Sequence, residues 1–233
     1  MQFKISPAIF EKFPSLNLGL VAAKGIDNSG KSQEIAFLIK EQEARIKESF
    51  STETLSQKPK IAAWRKAYSS FGAKPKKYKC SVESLYRTIL QGSSLKPINK
   101  IVDLYNLSSI KHMIPAGGDD LDKVEGNIEL KLASGLEPFT ELNSQKTSSP
   151  KLGEVIYADQ KEVLCRRWNW RECDKTKMTE QTKNIALVLE ALPPFTAEET
   201  QNITNELAAL IKEHCGGTAK TFLLNRQNPE AEI

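Results

Sequence analysis

A short run in the second half of the chain combines arginine, amide and indole side chains. Residues 166–171 have the sequence RRWNWR. If they form a strand, Arg167, Asn169 and Arg171 point to one side, because successive side chains of a strand face opposite ways. The tryptophans then point toward the core, although Trp170 could form a pocket wall. We predict that Arg167, Asn169, Trp170 and Arg171 bind an anionic or zwitterionic ligand. The alternative is an amphipathic strand with solvated arginines.

A second run matches the pattern of a phosphate-binding loop. Residues 25–32 have the sequence GIDNSGKS, in which Lys31 could reach terminal phosphates and Ser32 could bind magnesium. Such loops belong to parallel sheets built from repeated strand–helix units. Here several helices precede several strands, which indicates a different fold. We therefore expect residues 25–32 to form a turn, and a P-loop nucleotide kinase is the least favoured function.

Two further groups of polar residues are candidates for binding. Asn99, Asp103 and Asn106 are spaced to share one face of a predicted helix, where they could contact a substrate or simply face solvent. Residues 74–79 are the densest basic run. Lys74, Lys76, Lys77 and Tyr78 are its candidates for contact with RNA phosphates and bases, and the alternative is a solvated loop.

Composition limits the class of protein. The chain has 233 residues, 39% of them hydrophobic, and a net charge of +4, which permits contact with nucleic acid without requiring it. Four cysteines without CxxC spacing and two histidines do not suggest a zinc site, so no metal or cofactor is expected. Without a recognisable secretion signal or a membrane-length apolar run, a cytoplasmic protein with no membrane partner is expected.

Periodicity predicts the elements that must position these residues. Strands are predicted at 16–23, 128–132, 154–159, 162–171, 185–192 and 218–224, with a hairpin across 159–161. Helices are predicted at 31–50, 59–71, 81–92, 97–112 and 196–216. Residues 114–126 are predicted as a turn and 134–152 as a loop. The fold class is therefore α+β, a single compact domain with mostly antiparallel strands and flanking helices. Its core spans about 16–224, and 1–15 and 225–233 are terminal extensions.

Several blocks resemble the B3/B4 domain of the phenylalanyl-tRNA synthetase beta chain. Residues 97–106, PINKIVDLYN, are similar to the family's P-x-N-N-x-x-D-x-x-N helix, and residues 120–126, DLDKVEG, match the family's D-L-D-K-I-E-G block. Residues 154–159 and 179–192 are also similar to that domain. The segment CRRWNWR resembles freestanding B3/B4 proteins.

The resemblance implies an editing site with an altered pocket. In the synthetase this domain hydrolyses tyrosine wrongly attached to the phenylalanine tRNA. The family's pocket histidine corresponds to Gly117, its central glycine pair to Trp168 and Asn169, and its pocket glutamate to Val188. Glu190 is two residues further along the same predicted strand.

The functional hypothesis follows from the resemblance. The protein is expected to recognise tRNA or aminoacyl-tRNA through its amino-acid moiety and to hydrolyse a mischarged ester in trans. Backbone groups of Gly117 and Gly118, together with Glu190, are the candidate catalytic elements. The alternative is a non-catalytic module that binds tRNA or an amino acid.

Overall fold

Two mainly antiparallel sheets form the framework of the computed structural model, which describes residues 1–233. The larger sheet contains, in order, β12 (Glu230–Glu232), β1 (Gln2–Ile5), β4 (Ile128–Leu132), β7 (Val155–Ala158), β8 (Val163–Arg166) and β9 (Arg171–Glu172). Only β1 and β4 pair in parallel. The smaller sheet, β11 (Thr218–Leu224), β2 (Asn17–Lys24), β10 (Ile185–Ala191) and β3 (Ala116–Asp120), is antiparallel throughout. A two-stranded ribbon pairs β5 (Phe139–Thr140) with β6 (Thr147–Ser148).

Six helices surround the sheets. They are α1 (Pro7–Lys12), α2 (Gln33–Ser49), α3 (Pro59–Ser70), α4 (Ser81–Leu90), α5 (Lys100–His112) and α6 (Ala197–Cys215), with short 3-10 turns at Leu55–Gln57 and Leu121–Lys123. Local sequence explains two of the starts: Asn99 accepts a hydrogen bond from the Val102 N–H, and Thr196 forms a capping box with Glu199. None of these helices combines the length and apolar character needed to cross a bilayer.

One hydrophobic core joins the two sheets. A single cluster of 60 buried residues includes side chains from both sheets and from all six helices, so the layers share one core. Strands β2 and β10 are buried along almost their whole length, which explains their nearly continuous apolar sequences. The predicted α+β class with mostly antiparallel strands is confirmed, as is the 159–161 hairpin between β7 and β8.

The predicted strand 162–171 is wrong in its second half. Strand β8 ends at Arg166, and residues 167–170 form a turn before β9. Trp168 has φ +61°, an uncommon conformation for a bulky residue. Its ring is fully buried against Phe13 and Trp64, with centroid distances of 4.7 Å and 4.8 Å. Burial of this indole therefore decides the turn, and the expected alternation of side chains is lost.

Residues 116–120, predicted as part of a turn, form the edge strand β3. Leu187 of β10 lies opposite Gly118, and a Cβ atom built on Gly118 would lie 2.2 Å from the carbonyl oxygen of Ala186. Local composition favours a turn here, but pairing with β10 overrides it. The ribbon β5–β6 likewise occupies the predicted loop 134–152.

The chain ends are not extensions outside the core. Strand β1 lies between β12 and β4, and its side chains Phe3 and Ile5 are buried. Residues 1–15 and 225–233 therefore contribute to the larger sheet, which corrects the predicted core of 16–224.

Candidate functional site

A cavity of about 350 Å³ is lined by residues of both sheets. Strands β3 and β10 contribute residues from the smaller sheet, and β7, β8 and β9 from the larger sheet. The start of α4 and the middle of α5 complete the walls. Eleven of its 21 lining residues are hydrophobic, and the volume lies at the small end of the range for ligand pockets. The cavity therefore suits a small, partly apolar group with a few polar atoms.

Glu190 is the most deeply buried ionisable group on the wall. It is fully buried, and its Oε1 accepts a hydrogen bond of 2.6 Å from the Tyr157 hydroxyl. Its Oε2 accepts one of 2.6 Å from Asn169 Nδ2, and Asn169 Oδ1 accepts one of 2.8 Å from Tyr68. Burial raises the pKa of Glu190 to about 7, which these hydrogen bonds partly oppose. The carboxyl therefore changes its protonation state near neutral pH.

Asp119 and Glu172 add two more carboxyl groups to the same cavity. Burial raises the pKa of Asp119 to about 7, against a hydrogen bond from the Thr176 hydroxyl. The pKa of Glu172 is also raised to about 7, first by burial and then by the negative charge of Asp119. Both side chains retain some solvent contact. Three carboxyl groups that titrate near pH 7 in one cavity are typical of a functional site.

Gly117 and Gly118 lie on the free edge of the smaller sheet. The Asp120 N–H points away from β10 and donates to the Thr176 carbonyl, so the N–H of Gly118, two residues earlier, points the same way. That N–H is close enough to the Glu172 carboxyl to lower its pKa. A Cβ on Gly117 would approach Glu172 Oε1 to 3.0 Å. The missing side chain at this position therefore leaves room beside Glu172.

Two buried donors on the wall have no hydrogen-bond partner. The indole Nε1 of Trp168 is one, and the hydroxyl of Ser81 is the other. Trp168 Nε1 is close enough to Glu190 to lower the pKa of that carboxyl, but it does not reach hydrogen-bonding geometry. Since buried donors are normally satisfied, a ligand acceptor is a natural partner for Trp168.

Stacked cations and aromatic rings lie beside the cavity. The Arg167 guanidinium lies 3.6 Å from the Tyr78 ring centroid and 4.8 Å from that of Trp170. Arg167 also pairs with Glu154 at 3.3 Å, and Arg171 pairs with Glu141 at 2.9 Å. Trp170 and Arg171 line the cavity, whereas Arg167 and Tyr78 do not.

The structure brings most of the predicted site residues to one place. Seven of them line the cavity: Asn106, Gly117, Gly118, Asn169, Trp170, Arg171 and Glu190. Their predicted roles in binding and catalysis remain predictions.

Three other predicted substrate contacts lie outside the cavity wall. Asn99 is buried, caps α5 and donates to the Met178 carbonyl. Asp103 accepts from the Ile98 N–H, and Arg167 is held by Glu154. The helical spacing in the sequence predicts Asn99 and Asn106 on one face of the helix. In the structure, Asn99 is the capping residue and precedes the helix. These three residues therefore hold the surroundings of the site in place.

The predicted RNA-contacting residues differ in exposure. Lys74, Lys76 and Lys77 are exposed and are available to a polyanion. Tyr78 is half-buried, and its ring is covered by Arg167 and meets Trp170 edge-on at 5.0 Å. This packing opposes the expected stacking of a base directly on Tyr78.

Residues 25–32 do not form a P-loop. Strand β2, which leads into them, pairs antiparallel with both neighbours, so the required parallel sheet is absent. Asn28 inside the loop is buried, accepts from the Ile101 N–H and donates to the Thr179 carbonyl. Ser32 caps α2. Residues 25–32 form an irregular connection between β2 and α2, and its polar residues hold α5 and α2 in place.

Sequence reasoning missed Asp119, Tyr157, Trp168 and Glu172 as parts of the wall. Asp119 follows the glycine pair directly, and that position could have identified it. Glu172 could not be found in this way, because its position depends on the turn 167–170.

Comparison with known proteins identifies the family. The B3/4 domain model matches residues 63–216. The phenylalanine–tRNA ligase beta subunit of Fusobacterium nucleatum is 30% identical over 118 residues, which are 51% of this chain and 14% of that subunit. The corresponding subunit of Mycoplasma genitalium is 26% identical over 137 residues, 59% of this chain and again 14% of the subunit. The chain therefore spans only a small part of these relatives.

Among solved structures, an N-terminal fragment of the phenylalanyl-tRNA synthetase beta subunit from Pyrococcus horikoshii aligns with 93% of this chain and 49% of the fragment. Its sequence identity is 13% and its TM-score is 0.45. The resemblance noted in the sequence is confirmed by the family model, which covers residues 63–216. The chain belongs to the B3/4 domain family and is related to the beta subunit of phenylalanine–tRNA ligase.

Proposed function

We propose that this protein binds the aminoacyl end of a tRNA and hydrolyses a mischarged aminoacyl ester in trans. The observation that carries the proposal is the small cavity lined by Glu190, Glu172 and the Gly117–Gly118 strand edge, in a chain of the B3/4 family. An aminoacyl group is small and partly apolar, as the cavity wall requires. The synthetase relationship supports a tRNA-linked role for that ligand.

Hydrolysis of an aminoacyl ester requires few catalytic groups. An ester is an activated acyl group, so a positioned water and a proton acceptor are sufficient for hydrolysis. Each Glu190 oxygen accepts one hydrogen bond from the protein, so this buried carboxyl group is a fixed proton acceptor in the cavity wall. The partly accessible Glu172 is a second acceptor for the proton. With pKa values near 7, both groups are substantially ionised at neutral pH.

The surface beside the cavity supports contact with the RNA. Lys74, Lys76 and Lys77 are exposed, and Arg171 is half-exposed at the cavity wall. These cations can neutralise phosphates near the tRNA end, which would make binding weaker as salt increases. Four free cysteines accord with a reducing compartment, and we propose the cytoplasm.

A panel of mischarged tRNAs, followed by loss of the ester, tests the proposal. We expect Glu190→Gln and Glu172→Gln to lower the rate on the preferred ester by about 100-fold, a typical loss for a key catalytic group. Glu198→Gln is the matched control, since Glu198 is exposed on α6 away from the cavity. His112→Ala is expected to keep full activity, because His112 pairs with Glu206 outside the cavity.

The outcomes separate the two classes of function. Ester loss that depends on the cavity glutamates supports a deacylase. Binding of tRNA or aminoacyl-tRNA without hydrolysis of any ester in the panel would reject the deacylase and assign a non-catalytic binding module. A large loss of rate in His112→Ala with unchanged melting temperature would place the site elsewhere.

A further inference from the structure

The cavity carries three carboxyl groups and no cation that neutralises them. Asp119, Glu172 and Glu190 all line it. Arg171 is the basic residue on its wall, and Arg171 is paired with Glu141 at 2.9 Å instead. Carboxylates removed from water are normally paired with a positive charge or kept neutral. The lining of the cavity is therefore complementary to a cation.

Hydrogen bonding within the protein leaves acceptor capacity at one end of the cavity. Asp119 accepts a hydrogen bond from the Thr176 hydroxyl, and the Gly118 N–H lies close enough to the Glu172 carboxyl to lower its pKa. The Glu190 oxygens, in contrast, are held by Tyr157 and Asn169. A carboxylate offers about four lone-pair sites, so Glu172 and Asp119 can accept further donors. Gly117 leaves open space next to Glu172.

A second feature of the cavity wall, the buried N–H of Trp168, could donate a hydrogen bond to a ligand. The Trp168 side chain is fully buried and lines the cavity, and its N–H has no hydrogen-bond partner. A ligand with both an ammonium group and a carbonyl oxygen would satisfy the carboxylates and this donor. Apolar side chains, including Tyr105, Leu85 and Val188, would contact the rest of the molecule.

We propose that the cavity selects a primary ammonium ligand, with the ammonium held at Asp119 and Glu172 and a carbonyl oxygen accepting from Trp168. The inference rests on the proposed function only in taking this cavity as the ligand site. The ammonium can be the α-amino group of any aminoacyl ester or the side chain of a basic one. The chemistry is the same in both cases, and acetylated probes distinguish them.

Binding of a cation is coupled to loss of protons from the Asp119 and Glu172 carboxyl groups. Burial raises the pKa of both Asp119 and Glu172 to about 7, and a nearby ammonium favours their ionised forms. Asp120 and Asp159 add negative charge near Asp119. The other titratable groups on the wall are Tyr105, Tyr157, Cys165, Arg171 and Glu190. Burial raises the pKa of the two tyrosines and of Cys165 well above neutral, so they do not titrate in this range. Affinity for a ligand whose ammonium stays charged throughout, such as a lysine side chain with a pKa of about 10.4, is therefore expected to increase between about pH 6 and about pH 8. An α-amino group of an ester loses its own proton in this range, so its affinity should not show this increase.

Four esters of lysine test the proposal with the intact chain. They are lysine methyl ester, its Nα-acetyl and Nε-acetyl forms, and the diacetyl form, which has no positive charge. Binding is followed by tryptophan fluorescence, since Trp168 and Trp170 line the cavity. We expect the diacetyl ester to bind at least about tenfold more weakly than the better of the two singly acetylated esters, as for loss of one charge-assisted contact. Whichever single acetylation is tolerated identifies the ammonium that is recognised.

Variants connect the effect to the two carboxylates. Glu172→Gln and Asp119→Asn keep side-chain size and are each expected to weaken binding of the charged esters about tenfold and to reduce the pH dependence. Glu198→Gln should leave both unchanged. If either cavity variant fails to fold, the other variant and the ester series still decide.

Equal affinity for charged and diacetyl esters would overturn the inference, and so would failure of all four esters to bind. Neither result would exclude ester hydrolysis, which the mischarged tRNA panel measures separately. Conversely, ammonium selectivity without hydrolysis would support this inference and reject the deacylase.

Discussion

At the scale of single residues, one buried chain of hydrogen bonds organises the site. Tyr68, Asn169 and Glu190 are linked in series, and Tyr157 holds the other oxygen of Glu190. The sequence predicts Asn169 as a ligand contact on the polar face of a strand, whereas in the structure it lies in a turn, is buried and is hydrogen-bonded on both sides. Its position in the cavity wall is therefore fixed before any ligand arrives.

The cavity carboxyl groups also predict how stability depends on pH. Asp119, Glu172 and Glu190 have folded-state pKa values of about 7, above the ordinary values of 3.8 for Asp and 4.5 for Glu. The folded state therefore binds more protons between these values, and stability falls as pH rises through that window. We expect the melting temperature to decrease from about pH 5 to about pH 7.5, and Glu172→Gln to reduce the decrease.

Thermal melts of wild type, Glu172→Gln and Glu198→Gln in one buffer series check this expectation. Burial lowers the pKa of His112, which acts in the opposite direction, so the difference between variants is the quantity to compare. Identical pH profiles for wild type and Glu172→Gln would contradict the assignment of a raised pKa to Glu172.

At the scale of elements, the two glycines of β3 have different tasks. A Cβ at Gly118 would meet the backbone of β10, with the Ala186 carbonyl oxygen at 2.2 Å. A Cβ at Gly117 would meet only the side chain of Glu172, at 3.0 Å. We expect Gly118→Ala to lower the free energy of unfolding by about 1–3 kcal/mol, as for overpacking elsewhere. Gly117→Ala should cost clearly less but should weaken binding of the lysine esters.

Denaturant melts of the two alanine variants measure this difference, and each variant serves as the control for the other. A Gly117→Ala variant as unstable as Gly118→Ala would show that the strand edge is packed as tightly as the paired side.

The segment at residues 17–49, which contains β2 and α2, stabilises the fold and does not form a phosphate site. Lys31 is exposed, while Asn28 and Ser32 make the hydrogen bonds that fix the connection between them. We expect Lys31→Ala to change the free energy of unfolding by less than about 0.5 kcal/mol, as for other exposed substitutions. ATP with magnesium should not raise the melting temperature of either form. A shift that is seen in wild type and lost in Lys31→Ala would restore the kinase interpretation.

At the scale of the whole molecule, both chain ends belong to the folded unit. Strand β1 bridges β12 and β4, and Phe3 is buried with its ring centroid 6.1 Å from that of Tyr157. Phe3 also lines the cavity. We expect Phe3→Ala to cost about 3–5 kcal/mol, as for other buried phenylalanines.

Phe37→Ala is the matched control, because Phe37 on α2 is 60% exposed and should change stability by less than about 0.5 kcal/mol. Chemical denaturation of both variants gives the comparison. Similar small losses would mean that the N-terminal strand is not needed for stability.

The sequence by itself determined the fold class, most helices and the family. Helix starts depend on neighbouring residues, as at Thr196 and Asn99, and long apolar runs such as β10 predict buried strands whatever they pair with. Similar blocks at 97–126 and 153–194 were sufficient to recognise the B3/4 domain, which the family model confirms. These features are local, so local patterns reveal them.

Only the tertiary structure decided the content of the site. The turn at 167–170 exists because Trp168 is buried between Phe13 and Trp64, which are far from it in sequence. That turn places Asn169 on Glu190, whereas Arg167 turns to Glu154. Strand β3 likewise depends on pairing with β10, and this pairing brings Asp119 and Glu172 into one cavity. Core burial and strand pairing between segments far apart in the sequence stabilise these contacts. The local spacing of residues does not predict them.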